Sequence, residues 1–364
     1  MKKTMFRKTV IFLIIFAVLL IGAMLNNQQD RPRSSLGKGP RANVFESATP
    51  NLTPGDYNRE LADWPGRPYT VHIPAGYDPS KRFAAVLAIH GGGANSEHAA
   101  KVTCPNGDIA SPKCLSQLAD KEGFLVIYPN GASHPGARDI RTWNAGGGEK
   151  GYLCVSGYAC KNKMDDIEYF RDLLDDLEKT FAVDKERVFA TGISNGAAMS
   201  HRLACELSDR IAAIAPVAGA NQFSAASPCA PLRPVPVLQI HGTEDPSWPY
   251  LGGPGRRGTE DEVFFAAPKT VSEWVLRNGC DPTPQKESLP DRTRDGTRVI
   301  RESYAGCRDN ADVVFMTING GGHTWPQGNQ YLSEVIIGKT SEDINANEVV
   351  WEFFKKHPMP EGAR

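Results

Sequence analysis

Four short turns carry residue types that acyl-transfer chemistry needs. Gly192-Ile193-Ser194-Asn195-Gly196 sets a serine between two glycines, directly after the run Arg187 to Thr191 and directly before the helical stretch Ala197 to Leu207. A G-x-S-x-G turn between a strand and a helix pushes the hydroxyl out of a backbone so tight that only glycines fit beside it. Five residues with three fixed recur by chance, and a serine in a glycine-rich turn also serves as a helix cap. The strand before and the helix after select the nucleophile reading for Ser194.

Such an elbow calls for an acid and then a histidine, each in a loop after a later strand. Four histidines follow it: His201, His241, His323 and His357. His201 falls inside the next helix, and His357 reads as part of a solvated C-terminal run with Lys355 and Lys356. His241 opens the turn His241-Gly242-Thr243-Glu244-Asp245, where the acid belongs. His323 remains, in the glycine-rich turn Asn319 to Pro326, as general base. Asp245 is preferred over Glu244 because Pro246 holds it extended. Its carboxylate would accept the Nδ1 proton of His323, so that Nε2 is free to take the Ser194 proton. His90-Gly91-Gly92-Gly93, after the run Phe83 to Ile89, is the fourth turn. An HGGG-type turn there supplies one oxyanion-hole N–H, and Asn195, after the nucleophile, supplies the other. The Walker and dinucleotide spacings are absent from this turn, and His90 itself is expected to hydrogen-bond locally.

The elements that must hold these turns are legible too. Short β-branched runs at Phe83 to Ile89, Phe124 to Tyr128, Val188 to Thr191, Ile211 to Val217, Val235 to Ile240 and Val313 to Ile318 suit strands buried on both faces. Between Asp165 and Phe181 the apolar residues repeat every three or four positions, with Asp165 and Glu168 spaced as a cap. Strands alternating with helices predict an α/β fold: a mostly parallel central sheet with helices on both faces, in a single domain from 51 to 364.

With 40% hydrophobic and 23% charged residues, the chain has the composition of a soluble globular protein. Residues 1–50 hold eight Lys or Arg against two acids, leaving the body at net −7, which argues against a nucleic-acid partner. Lys2, Lys3, Arg7 and Lys8 precede an uncharged apolar run from Thr9 to Leu25, the pattern of an export signal or an N-terminal membrane anchor over 1–25. Residues 26–50 read as a flexible linker. Any membrane contact would run through that first segment. Eight cysteines suit an oxidising compartment, and proximity suggests the pairs Cys104 with Cys114, Cys154 with Cys160, Cys205 with Cys229, and Cys280 with Cys307. No CxxC and no histidine at ligand spacing favours a metal.

Taken together, Ile89-His90-Gly91-Gly92-Gly93, Tyr128-Pro129-Asn130-Gly131, Trp143-Asn144, Asp165-Asp166, the elbow, the Asp245 turn and Gly321-Gly322-His323-Thr324-Trp325-Pro326 resemble the secreted esterases that group poly(3-hydroxybutyrate) depolymerases with feruloyl and acetylxylan esterases. The likeness runs in order from about residue 60 to 355. It implies the α/β-hydrolase fold, Ser194 as nucleophile, Asp245 as acid, His323 as base, and oxyanion amides at Gly92 and Asn195. Two segments depart from the pattern, Glu97 to Cys114 and Asp281 to Arg294. The reaction expected is two-step ester hydrolysis without metal or organic cofactor, on an oligomeric or polymeric ester. Feruloyl or acetyl esters of polysaccharide rank above a hydroxybutyrate polyester. Trp143, Trp248 and Trp325 flank the catalytic turns and are candidates either to stack on substrate or to pack in the core. A non-catalytic surface binding protein on the same fold would be expected to lack Ser194 or His323. A peptidase of this fold usually adds a propeller or lid domain.

Overall fold

The computed structural model describes residues 52–146, 157–255 and 263–362. The expected export segment, the linker and Cys154 lie outside them. Thr49–Arg364 group into one compact unit.

Fourteen strands are described: β1 (Gly55–Arg59), β2 (Tyr69–Ile73), β3 (Phe83–Ile89), β4 (Phe124–Tyr128), β5 (Ala132–His134), β6 (Ala137–Thr142), β7 (Val183–Ile193), β8 (Ala213–Val217), β9 (Val237–Gly242), β10 (Gly253–Pro254), β11 (Val263–Phe264), β12 (Gln285–Ser288), β13 (Arg298–Tyr304) and β14 (Val313–Asn319). Ten of them form one sheet in the order β1-β2-β4-β3-β7-β8-β9-β14-β13-β12. The six from β4 to β14 run parallel. Antiparallel strands close both edges. The helices are α1 (Ser96–Val102), α2 (Leu115–Glu122), α3 (Tyr158–Lys161), α4 (Asp166–Thr180), α5 (Asn195–Glu206), α6 (Phe223–Ala226), α7 (Ala267–Asn278), α8 (Glu334–Ile337) and α9 (Ala346–Lys355).

Side chains of a strand point alternately to its two faces. In β3, Phe83, Ala85, Leu87 and Ile89 pack on one face with Phe170 and Leu173 of α4, Met199 of α5 and Trp274 of α7. Ala84, Val86 and Ala88 pack on the other with Val102 of α1, Leu118 of α2 and Trp351 and Phe354 of α9. A sheet covered on both faces has no polar face, which is why its parallel strands read as unbroken apolar runs. Helix α4 starts where its spacing places it, with the Asp165 carboxylate accepting the Glu168 N–H at 3.1 Å.

The antiparallel strands β1, β2, β12 and β13 and the hairpin β5–β6 had no apolar run to announce them. His357 corrects the reading of a solvated tail. It is 6% exposed, with Nδ1 2.7 Å from the Phe353 carbonyl and Nε2 3.2 Å from Asp312, so the chain after α9 is packed down. Disulfides join Cys104 to Cys114, Cys205 to Cys229 and Cys280 to Cys307. Among the described residues no helix is long and apolar enough to cross a membrane.

Candidate active site

Ser194 sits in the turn between β7 and α5 with φ 59° and ψ −121°. A non-glycine residue is strained there and persists only when its surroundings hold it. Here its N–H donates to the Val217 carbonyl at 3.0 Å. A Cβ on Gly192 would lie 2.6 Å from the Ile89 carbonyl oxygen, and one on Gly196 would run into the same carbonyl. The two elbow glycines are therefore demanded by the close approach of β3.

Asp245, after β9, is 5% exposed. Its Oδ1 accepts the N–H groups of Ser247 and Trp248, both at 2.8 Å, which turns Oδ2 toward Nδ1 of His323 at 2.7 Å. Glu244, the competing carboxylate, is exposed. His323, after β14, is held by its own backbone. Its N–H donates to Ile337, and its carbonyl accepts the Tyr331 hydroxyl at 3.1 Å. His241 lies behind the acid, fully buried, with Nε2 2.9 Å from the Trp248 carbonyl and 3.5 Å from Asp245 Oδ2. Burial holds its pKa below the ordinary imidazole range, so it is neutral at pH 7.

Ser194 and His323 line one cleft of about 890 Å³, together with Gly92 and Asn195. No hydrogen bond among the described residues takes up the backbone N–H of Gly92 or Asn195, whereas Gly93 donates to Arg141 at 2.8 Å. His90 bonds locally: Nδ1–H donates to Gly91 at 2.7 Å and Nε2 accepts the Gly131 N–H at 3.0 Å. Among the described residues no group of three His, Cys, Asp or Glu is placed to hold a metal ion.

The three tryptophans separate. Trp248 lines the cleft beside Phe264, ring centroids 4.7 Å apart. Trp143 and Trp325 are core side chains at 0% and 1% exposure and do not line it. Each indole N–H finds an interior acceptor, the His90 carbonyl and Asn347 Oδ1, both at 3.1 Å. Being next to a site turn in sequence left open which way the ring faces. The cleft also takes His98 of α1, Phe264, Asn329, Tyr331, Leu332, Ile336 and Ile337. These stand in segments without a motif, and only the departure at Glu97 to Cys114 pointed near one of them.

A model of the phospholipase/carboxylesterase family matches residues 158–254. A putative esterase, NocK, of Nocardia uniformis subsp. tsuyamanensis is 31% identical over 301 residues, covering 79% of this chain and 78% of that protein. This chain belongs to the esterases of the α/β-hydrolase superfamily. Feruloyl esterase D of Neurospora crassa is 25% identical over 94% of this esterase and 97% of its own length. Feruloyl esterase B of Piromyces equi is 28% identical, and the chain spans only 38% of that relative. Among solved structures, an acetyl xylan esterase from Aspergillus awamori shares the fold, at 16% identity and TM-score 0.50, over 83% of this chain and 99% of that one.

Proposed function

We propose that the esterase is an exported serine hydrolase in which Ser194 is the nucleophile, His323 the general base and Asp245 the acid that orients it. The observation that carries this is the 2.7 Å bond from His323 Nδ1 to Asp245, in a cleft that the strained Ser194 also lines. With Nδ1–H given to Asp245, the Nε2 lone pair is the one left to accept a proton. Ser194 Oγ adds to the ester carbonyl while His323 Nε2 takes its proton. The carbonyl oxygen becomes an oxyanion that the backbone N–H groups of Gly92 and Asn195 would receive. Collapse breaks the bond to the alcohol, which leaves with the proton from His323. Water, deprotonated by His323, then attacks the acyl-enzyme and releases the acid and Ser194.

For substrate we favour feruloyl or acetyl esters of polysaccharide. Trp248 and Phe264, with Leu332 and Ile336, give the cleft an apolar wall suited to an aryl acyl group, and two relatives carry the name feruloyl esterase. Export is supported by the basic-then-apolar pattern of residues 1–25 and by the disulfides. Hydrolysis of a p-nitrophenyl ester by wild type and Ser194→Ala tests the chemistry, and undiminished turnover in the variant refutes it. Methyl ferulate, acetylated xylan and a hydroxybutyrate oligomer assayed side by side test the substrate. A clear preference for the last overturns the ranking.

A further inference from the structure

An oxyanion hole made of two amides works only if their separation is held, because the donors must meet the oxyanion and not the ground-state carbonyl. Here the amides come from different parts of the chain, Gly92 from the turn after β3 and Asn195 from the first residue of α5. The short stretch Arg141–Trp143, at and just beyond the end of β6, touches both. On the Gly92 side, Gly93 donates to the Arg141 carbonyl at 2.8 Å and Arg141 donates to the Ala94 carbonyl at 3.2 Å. The Trp143 indole N–H adds a bond to the His90 carbonyl at 3.1 Å, with the two rings 5.0 Å apart. On the other side the Asn195 carboxamide pairs with the Trp143 backbone at two points. Oδ1 accepts the Trp143 N–H at 2.8 Å, and Nδ2 donates to the Trp143 carbonyl at 3.1 Å.

We infer that this clamp, the Asn195 side chain closed on Trp143 and the Trp143 indole closed on His90, sets the spacing of the two oxyanion amides. Asn195 thereby acts through both of its ends. Its backbone N–H faces the reaction, and its carboxamide locks that N–H to the opposite donor. Trp143 is a positioning residue, buried and out of reach of substrate. The clamp rests on the serine mechanism above, and its effect belongs to the transition state, so it acts on kcat and leaves substrate affinity alone.

The test compares wild type, Asn195→Ala and Trp143→Phe, with Ser194→Ala as reference, on a p-nitrophenyl ester and against phenylboronic acid, which forms a tetrahedral adduct on a serine. Asn195→Ala removes both carboxamide bonds and keeps the backbone N–H. Trp143→Phe keeps a buried aromatic ring, loses the indole bond to His90 and gives up part of the packing on Tyr169 and Phe170, a cost that the unfolding temperature reads separately from kcat. We expect Asn195→Ala to lower kcat on the order of 10²-fold and Trp143→Phe on the order of tenfold. KM should change little, and boronate affinity should weaken in step with kcat. If Asn195→Ala does not fold, Trp143→Phe carries the test alone. Folded variants with wild-type kcat and boronate affinity overturn the clamp, as do variants in which only KM or only the unfolding temperature changes. Those results beside an inactive Ser194→Ala remove the clamp and leave the serine mechanism standing. An active Ser194→Ala removes both.

Discussion

In the proposed triad Asp245 has a single task, orienting His323, and its hydrogen bonds suit that task. Two backbone N–H groups hold Oδ1, so Oδ2 has one direction left, and His323 stands there. Asp245→Asn keeps the volume but sets an amide against Nδ1, removing the preference for the Nδ1–H tautomer. We expect kcat to fall on the order of 10³- to 10⁴-fold with little change in unfolding temperature, read from kinetics and calorimetry on the same preparation. Histidines held low by burial contribute to the response to acid, His241 and His98 among them. His90 and His201 are fully buried and desolvation pulls both down to about 3. In each, one nitrogen already accepts an N–H, from Gly131 or from Trp274, so a second proton would face a donor. The folded state therefore resists protonation while the unfolded chain takes it up below its ordinary value. This stability is full above about pH 6.5 and is lost as pH falls from there toward 3, roughly 2 kcal/mol per histidine by pH 5. His72, between Asp56 and Asp120, is raised and works in the opposite sense. Thermal unfolding at pH 7 and pH 5 should show the loss, and His201→Gln should shrink it. An equal drop in that variant would remove His201 from the account.

At the scale of elements, the site is a set of turns at the ends of neighbouring parallel strands. The β7–α5 turn, the β9 turn and the β14 turn lie close because β7, β8, β9 and β14 are adjacent in the sheet. Crevices outside the carboxyl ends of parallel strands are where open α/β sheets bind ligands. The contact that sets the elbow is the packing of α5 against the end of β3, and glycine is what permits it. Gly196→Ala drives a methyl group into the Ile89 carbonyl, with the His90 carbonyl oxygen 2.6 Å away. Backbone cannot yield as a flexible side chain would, so we expect a loss of about 2–3 kcal/mol, measured by urea unfolding, with activity falling further than stability. An unchanged midpoint would mean that the elbow has room that the structure denies it.

For the whole molecule, the disulfides tie segments that the sheet does not. Cys205–Cys229 spans 24 residues and links the end of α5 to the chain before β9, and Cys280–Cys307 spans 27 and joins the chain after α7 to the turn before β14. Cross-links of that span contribute about 3 kcal/mol each through the unfolded chain. Reduction should therefore lower the unfolding temperature on the order of ten degrees, and scanning calorimetry with and without reductant checks it. An identical midpoint would show that the bridges are ornamental to stability. The parallel strands, α4 with its cap and the four glycine-rich turns were all legible in the sequence. Their signals are local: apolar runs, a helical period, and glycines where backbone approaches backbone. The edge strands were not, because antiparallel strands with an exposed face have mixed polarity and take their identity from a partner. Nor could sequence turn Trp248 into the cleft and Trp143 and Trp325 into the core, bury His357, or pair the Asn195 carboxamide with Trp143. Those outcomes depend on which distant group stands opposite each side chain, and only the closed tertiary structure brings the two together.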